Sequence, residues 1–198
     1  MAQLIRALAV ILVFLGVLVA LYPFGEDLYR DYRVQLSLEA FELEQGFENQ
    51  GSPVKEPYLR AEEKEAAPLA LLEIPKIDLK LPVFVGSSRD DLRYGAVLLE
   101  DWVGIGEEGN AVITAHRAHS YGHLFNRLDE LEAGDKIAVI TPQERYRYSV
   151  YETYITEAGD TSYLKSSGVK ELTLVTCHPL YWPNPPYRLV VKAQASKS

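Results

Sequence analysis

A chain of 198 residues has room for one domain of ordinary size and an appendage, but not for two domains with separate large cores. Its net charge of −8, with no cluster of Lys and Arg, excludes a nucleic-acid groove, because phosphate binding needs a concentrated positive field. The single cysteine excludes an intrachain disulfide, so a domain outside the cell must be held by its core alone, and the thiol of Cys177 stays unpaired.

The chain opens on Ala7 to Phe24 (ALAVILVFLGVLVALYPF), a charge-free run long enough to cross most of a bilayer as a helix. Arg6 precedes it and Glu26 and Asp27 follow, which puts the N-terminus in the cytoplasm and the remainder outside. A cleaved signal peptide is the rival reading; Leu21 to Phe24 lack the small-x-small pattern of a cleavage site, which favours an uncleaved anchor. Glu26 to Glu48 mixes charges with scattered apolar residues, a spacing suited to a helix or half-ordered stalk. Gly46, Gly51, Pro53 and Pro57 interrupt it, and the charged run RAEEKEAA from Arg60 completes a linker over 50–67. The expected organisation is therefore 1–25 cytoplasmic tip and transmembrane anchor, 26–67 extracellular stalk and linker, and 68–198 a folded domain.

From Leu69 onward the texture changes to short apolar runs rich in Val, Ile, Leu and Tyr, divided by turn residues. Strands are expected at Leu69–Ile74, Leu79–Val85, Ala96–Leu99, Ala111–Ala115, Lys136–Thr141, Tyr146–Ile155, Leu172–Cys177 and Tyr187–Ala193. Eight short strands indicate an all-β domain with short helices, closed into a barrel behind the transmembrane helix. In Tyr146–Ile155 the apolar residues fall on both parities, as in a strand covered on both faces. Phe125, Leu128 and Leu131, three apart, predict a short amphipathic helix closed by Gly134.

Three strand ends carry reactive side chains. LTLVTCHP runs into Cys177, and AVITAHR runs into His116. Arg188 opens the strand YRLVV after the Pro-rich segment 179–186. If the last two strands pair antiparallel, Cys177 and Arg188 share one rim of the barrel, and His116 can reach it. A thiol nucleophile needs a thiolate, which a nearby imidazole and guanidinium favour; the imidazole can then protonate a leaving amine, and the guanidinium can bind an oxyanion. Singly, each has a plainer reading: a surface histidine, a solvated arginine, a packed cysteine. His116, His119 and His123 would converge as metal ligands on a helix, but Tyr121-Gly122 between them argues for a loop and no carboxylate lies in the cluster, so no metal is assigned.

Thr173-Leu174-Val175-Thr176-Cys177 resembles the sortase signature Thr-Leu-x-Thr-Cys. His116-Arg117, Arg188, the Phe125–Leu131 spacing, Gly134-Asp135 and Ile74-Pro75-Lys76-Ile77 are similar to further motifs of that family, over roughly Leu69 to Ala193. The resemblance implies a sortase-type barrel and a cysteine transpeptidase. Cys177 would cleave a Leu-Pro-x-Thr-(Gly or Ala) sorting signal of a secreted protein through a thioester, His116 would protonate the leaving amine, and Arg188 would hold the oxyanion or position the signal. An amine of a cell-wall peptide or a pilin lysine would resolve the thioester. No metal or organic cofactor is implied, although some members respond to calcium. Thr176, Tyr181 and Trp182 are candidate substrate-binding residues, the two aromatics as an apolar wall for Leu-Pro or simply as cover for the barrel end. His178 could influence the acidity of Cys177 but points to the opposite face if its strand continues. Ala115 departs from the family's usual Gly before the histidine.

SYGHLFNRLDEL is most similar to class D sortases of spore-forming Gram-positive bacteria, which anchor proteins to the wall. Pilus-building members commonly carry an Asp-Pro-aromatic lid and a C-terminal membrane helix; 34–68 lacks that tripeptide and the chain ends at Lys197-Ser198, which weakens the pilin-polymerase reading. Two readings of a different class compete with a transpeptidase: a membrane-tethered thiol or metal hydrolase, and a catalytically silent binding domain.

Overall fold

The computed structural model describes residues 2–48, 68–86, 89–99, 103–118, 122–166 and 168–196. Met1–Arg33 and Val34–Ser198 form separate compact units. Helix α1 spans Ala2–Glu48, continuing through Pro23 and through Gly46, where the sequence predicts an interruption. Proline inside a helix forfeits one backbone hydrogen bond, a loss the flanking helix-forming residues tolerate here. The apolar side chains from Leu8 to Phe24 stand exposed, and by length and composition α1 can cross a membrane. The linker expected at 50–67 lies outside the described residues.

Eight strands close into a barrel in the order β1-β2-β3-β4-β7-β8-β6-β5. They are β1 Ala70–Ile74, β2 Leu79–Val85, β3 Ala96–Leu98, β4 Gly109–Thr114, β5 Lys136–Ile140, β6 Arg145–Glu157, β7 Lys170–His178 and β8 Tyr187–Ala195. Each overlaps a strand expected from the short apolar runs divided by turn residues. Pairing between β1 and β5 completes the circle, which leaves no open sheet edge. Two contacts are parallel, β2 with β3 and β4 with β7; the β4–β7 contact is the one that matters for chemistry.

The barrel is filled by one parity of each strand: Leu72, Ile74, Leu81, Val83, Ala111, Ile113, Leu172, Leu174, Leu189 and Val191 form a single buried cluster. Phe125, Leu128 and Leu131 join it, as their spacing requires. The segment is not an amphipathic α-helix, however: it is a turn followed by a 3-10 helix over Leu128–Glu130. Side chains three apart eclipse on a 3-10 helix, so a single short turn suffices to bury all three. Gly134, at φ 99°, ends this segment in the left-handed region, where a side chain is disfavoured.

The β6 strand corrects a second expectation. It is not covered on both faces; its register against β8 slips between Val150 and Glu152, leaving Tyr151 as the extra residue of a bulge. Tyr148 and Val150 point inward before the bulge, and afterwards Thr153 takes the inner parity, giving its hydroxyl to the Leu131 carbonyl at 3.1 Å. The blurred alternation in the sequence is the signature of that inserted residue.

Positions of the opposite parity on β4, β7 and β8 are also buried: Val112, Thr173, Val175 and Val190. Asn110 explains part of that cover. Its amide nitrogen donates to the carbonyls of Tyr163 at 2.9 Å and Leu164 at 3.2 Å, and its oxygen accepts from the Thr173 hydroxyl at 2.6 Å. This buried amide holds the 3-10 segment Ser162–Leu164 against the outer wall. Asn110→Ala strands those partners and is expected to cost about 2–3 kcal/mol, with Thr173→Val costing roughly 1 kcal/mol. Urea unfolding of the full chain in detergent checks the order; equal stability of Asn110→Ala and wild type would contradict the role.

Candidate active site

The site is built where three adjacent strands end or begin. In the antiparallel β7–β8 pair Cys177 stands directly opposite Arg188, and His178 opposite Tyr187. In the parallel β4–β7 pair the last registered partners are Thr114 and Val175. The pairing persists beyond them: the Ala115 N–H donates to the Val175 carbonyl at 3.4 Å, and the Thr176 hydroxyl donates to the Ala115 carbonyl at 2.9 Å. Carried on in step, this register sets His116 beside Cys177 and Arg117 beside His178. The second pair meets directly, with Arg117 Nη1 and His178 Nδ1 2.7 Å apart.

Strand alternation then assigns faces. Ala111, Ile113 and Ala115 on β4 and its exit, Leu172 and Leu174 on β7, and Leu189 and Val191 on β8 all belong to the inner cluster. Cys177, His116 and Arg188 therefore take the outer parity of three neighbouring strands, with the order His116, Cys177, Arg188 across the wall. Cys177 is a free thiol, half-buried. His116 is exposed. Its carbonyl accepts the Phe125 N–H at 3.1 Å, and Arg117 bridges to Leu124, so the loop that leaves β4 folds straight back onto the histidine's own backbone. Arg188 Nη1 donates to the carbonyls of Pro185 at 3.2 Å and Tyr187 at 2.9 Å. The charge of Arg188 also reaches Tyr163 on the segment that Asn110 anchors.

Thr176 is turned away from the wall that carries Cys177, His116 and Arg188. It is 2% exposed, takes the inner parity and links β7 to the exit of β4. The physical reason is alternation: a strand that turns Cys177 outward must turn the preceding residue inward. Tyr181 and Trp182, in the β7–β8 connection, are exposed at 68% and 58%. Tyr181 adopts a positive φ of 65°, an uncommon conformation for a bulky residue. His119 lies outside the described residues, and among the described residues no three His, Cys, Asp or Glu side chains converge as a metal site.

The structure adds a layer that the sequence does not disclose. The Arg117 side chain is 4% exposed and pairs with Asp129 at 2.8 Å, while its Nε donates to the Asn126 carbonyl at 3.4 Å. Because a guanidinium has only donors, the Nδ1 of His178 must accept, which fixes its proton on Nε2 and leaves the ring neutral. Burial, and then the Arg117 charge, hold the His178 imidazole below its ordinary range, against the pull of Asp129. The only hint in the sequence is parity: Arg117 and His178 each follow a reactive residue and must face the other way.

The closed eight-stranded barrel carries cysteine, histidine and arginine at the ends of neighbouring strands, the residue types that thiol acyl transfer uses. A family model for the sortase domain matches residues 72–196, more than half of the chain. Sortase D of Bacillus subtilis strain 168 is 35% identical over 61% of this chain and 60% of its own length. Sortase A of Bacillus anthracis is 29% identical over 54% of this chain and 50% of its own. These matches thus span only half to three fifths of the relatives' length. Among solved structures, a Clostridium perfringens sortase D5 transpeptidase superposes with a TM-score of 0.62 at 26% identity, covering 85% of this chain and 98% of the other. Listeria monocytogenes sortase A superposes with a TM-score of 0.61 at 26% identity, covering 67% and 89%. The chain belongs to the sortase family of cysteine transpeptidases.

The His178 shift has a consequence for stability. Its folded form resists a proton that the unfolded chain accepts near the ordinary value of 6.5. Stability is therefore full above that value and falls as the pH drops below it, because the unfolded state binds the extra proton. Burial raises the Glu73 carboxyl, but Arg145 and Lys80 outweigh it and leave that group low, so its own loss of stability comes in a more acidic window. Thermal unfolding between about pH 7 and pH 5 should show the His178 decline in wild type and a flatter profile in His178→Phe. Parallel profiles would contradict the assignment.

Proposed function

We propose that this protein is a wall-anchoring sortase of the class D kind, which cleaves a Leu-Pro-x-Thr-(Gly or Ala) signal near the C-terminus of secreted proteins and joins the threonine carboxyl to a cell-wall peptide amine. The observation that carries the reading is the placement of Cys177 between Arg188, its antiparallel partner, and the exit of β4 that bears His116. Likeness to the Bacillus sortase D and to the class D5 structure supports the class.

In this reading the Cys177 thiolate attacks the threonine carbonyl carbon, and Arg188 turns from the loop carbonyls it now holds to the developing oxyanion. Collapse breaks the C–N bond; the departing amine takes a proton from His116, and a thioester remains on Cys177. The acceptor amine then attacks the thioester and gives up a proton to His116. The C–S bond breaks and the thiolate returns, so bonds and protons balance without a metal or organic cofactor. Tyr181 and Trp182, exposed beside this site, are the proposed apolar wall for the Leu-Pro side chains. The proposed layout has residues 1–25 as tip and membrane anchor with the N-terminus cytoplasmic, 26–67 as stalk, and 68–198 as the extracellular catalytic domain. A second reading, polymerisation of pilins through a lysine amine, draws on the likeness to a pilus-related sortase C of group B Streptococcus, 28% identical over 82% of this chain.

Full-length protein in detergent, given a fluorogenic Leu-Pro-x-Thr-Gly peptide and a glycine-based or diamino-acid acceptor, tests the proposal. Cys177→Ala is expected to abolish cleavage, His116→Ala to lower kcat by about 10²–10⁴-fold, and Arg188→Met by roughly 10²–10³-fold. Arg188→Lys should recover little, since a point charge does not reproduce the planar fork. Cleavage that survives Cys177→Ala would overturn the reading, and preference for a pilin lysine over the wall amine would favour the polymerase.

A further inference from the structure

Two residues of the site are followed, in the chain, by two that bind each other. Cys177 precedes His178, His116 precedes Arg117, and the two followers meet at 2.7 Å. On parallel neighbouring strands, residues in register share a face and alternate together. A bond between 117 and 178 on one face therefore fixes the lateral separation of 116 and 177 on the other. The registered β4–β7 pairing stops at Thr114 and Val175, and the Ala115 N–H and Thr176 hydroxyl bonds beyond it still end one residue short of the 116–177 pair.

The bond is held from the far side as well. Arg117 is anchored by Asp129 at 2.8 Å on the 3-10 segment and by the Asn126 carbonyl at 3.4 Å. Asn126 in turn donates to the Ala118 carbonyl at 2.6 Å. The guanidinium is sealed from water, and Leu128, on the same 3-10 turn as Asp129, is fully buried. A planar fork with three fixed partners has little freedom to shift, whereas the exposed His116 ring has much. Arg117 and Asp129 are the charged groups that act on the His178 ring, and Tyr187 is its register partner on β8.

Resting on the transpeptidase reading above, we propose that Arg117 and His178 are positioning residues: their bond, braced by Asp129, sets the distance between the His116 imidazole and the Cys177 thiol. Neither touches substrate. The neutral His178 ring acts as an acceptor of fixed orientation, and it exchanges no proton in the reaction.

Substitution of His178 is the cleanest test, because the ring is only half-buried and its variants should fold. His178→Asn keeps an acceptor at the Nδ1 position, whereas His178→Phe keeps the ring's bulk and loses it. Arg117→Met removes the donor from the other side. The first readout needs no peptide: the pH profile of Cys177 alkylation by iodoacetamide, with His116→Ala as the reference for a thiol without its imidazole. His178→Phe and Arg117→Met are expected to move the profile toward that of His116→Ala, and His178→Asn to stay near wild type. The second readout is peptide turnover, where His178→Phe should lower kcat about tenfold or more with KM nearly unchanged, as small misplacements of reacting groups do. A His178→Phe enzyme with wild-type alkylation profile and kcat, or a His178→Asn enzyme as impaired as His178→Phe, overturns the proposal. Failure of wild type to turn over any sorting peptide would instead count against the transpeptidase reading, while the alkylation profiles still decide on the clamp.

Discussion

The parallel pairing of β4 with β7 is the constraint on which the site depends. β8 would bring Arg188 to Cys177 through a simple antiparallel return, but no local connection brings His116 there; β5 and β6 lie between β4 and β7 in the chain. The register from Gly109–Lys170 to Thr114–Val175, carried past the end of β4 by the Ala115 and Thr176 bonds, sets His116 at the level of Cys177 on the neighbouring strand. Long-range parallel pairing is costly to nucleate, and the buried Asn110–Thr173 bond and the fully buried Ile113 and Leu174 make it unique once formed.

That register also explains why the reactive residues sit on the outer wall while the barrel interior stays apolar. A cysteine on the inner parity would be sealed among Leu172, Leu174 and Leu189, where a thiolate is disfavoured and no peptide can enter. On the outer parity the thiol is half-exposed. The inner parity at the same level is used instead for Thr176, which links the strands, and for the Arg117–His178–Asp129 group at the mouth of the barrel.

Much of this is legible in the sequence, and for identifiable reasons. The strands are marked by short apolar runs bounded by turn residues, and Phe125, Leu128 and Leu131 belong in the core on spacing alone, because burial depends on spacing more than on helix type. The 3-10 geometry of that turn is not legible, since three-residue spacing fits either helix. The β6 bulge shows only as a pattern that loses its parity, which a doubly buried strand would also give. At the site, Cys177, His116 and Arg188 announce themselves as reactive types at strand ends. The inward turn of Thr176 follows from alternation once Cys177 faces outward, but its bond to the Ala115 carbonyl depends on the β4–β7 pairing and is not legible in the chain. Asp129 is invisible: nothing in the chain links it to Arg117 until Leu128 is buried and the turn brings the carboxylate across.

The apolar run of α1 and the barrel are tied to one purpose if the site acts on chains leaving the membrane, and the thiol on the outer wall is then the group that carries them. Intact-mass analysis of the full chain after brief exposure to a Leu-Pro-x-Thr-Gly peptide, without acceptor amine, tests this most directly. The account predicts a mass gain equal to the Leu-Pro-x-Thr acyl group, removed by hydroxylamine, mapped to Cys177 by fragmentation and absent in Cys177→Ala. An acyl group found on any other residue, or none at all across a panel of sorting peptides, would contradict it.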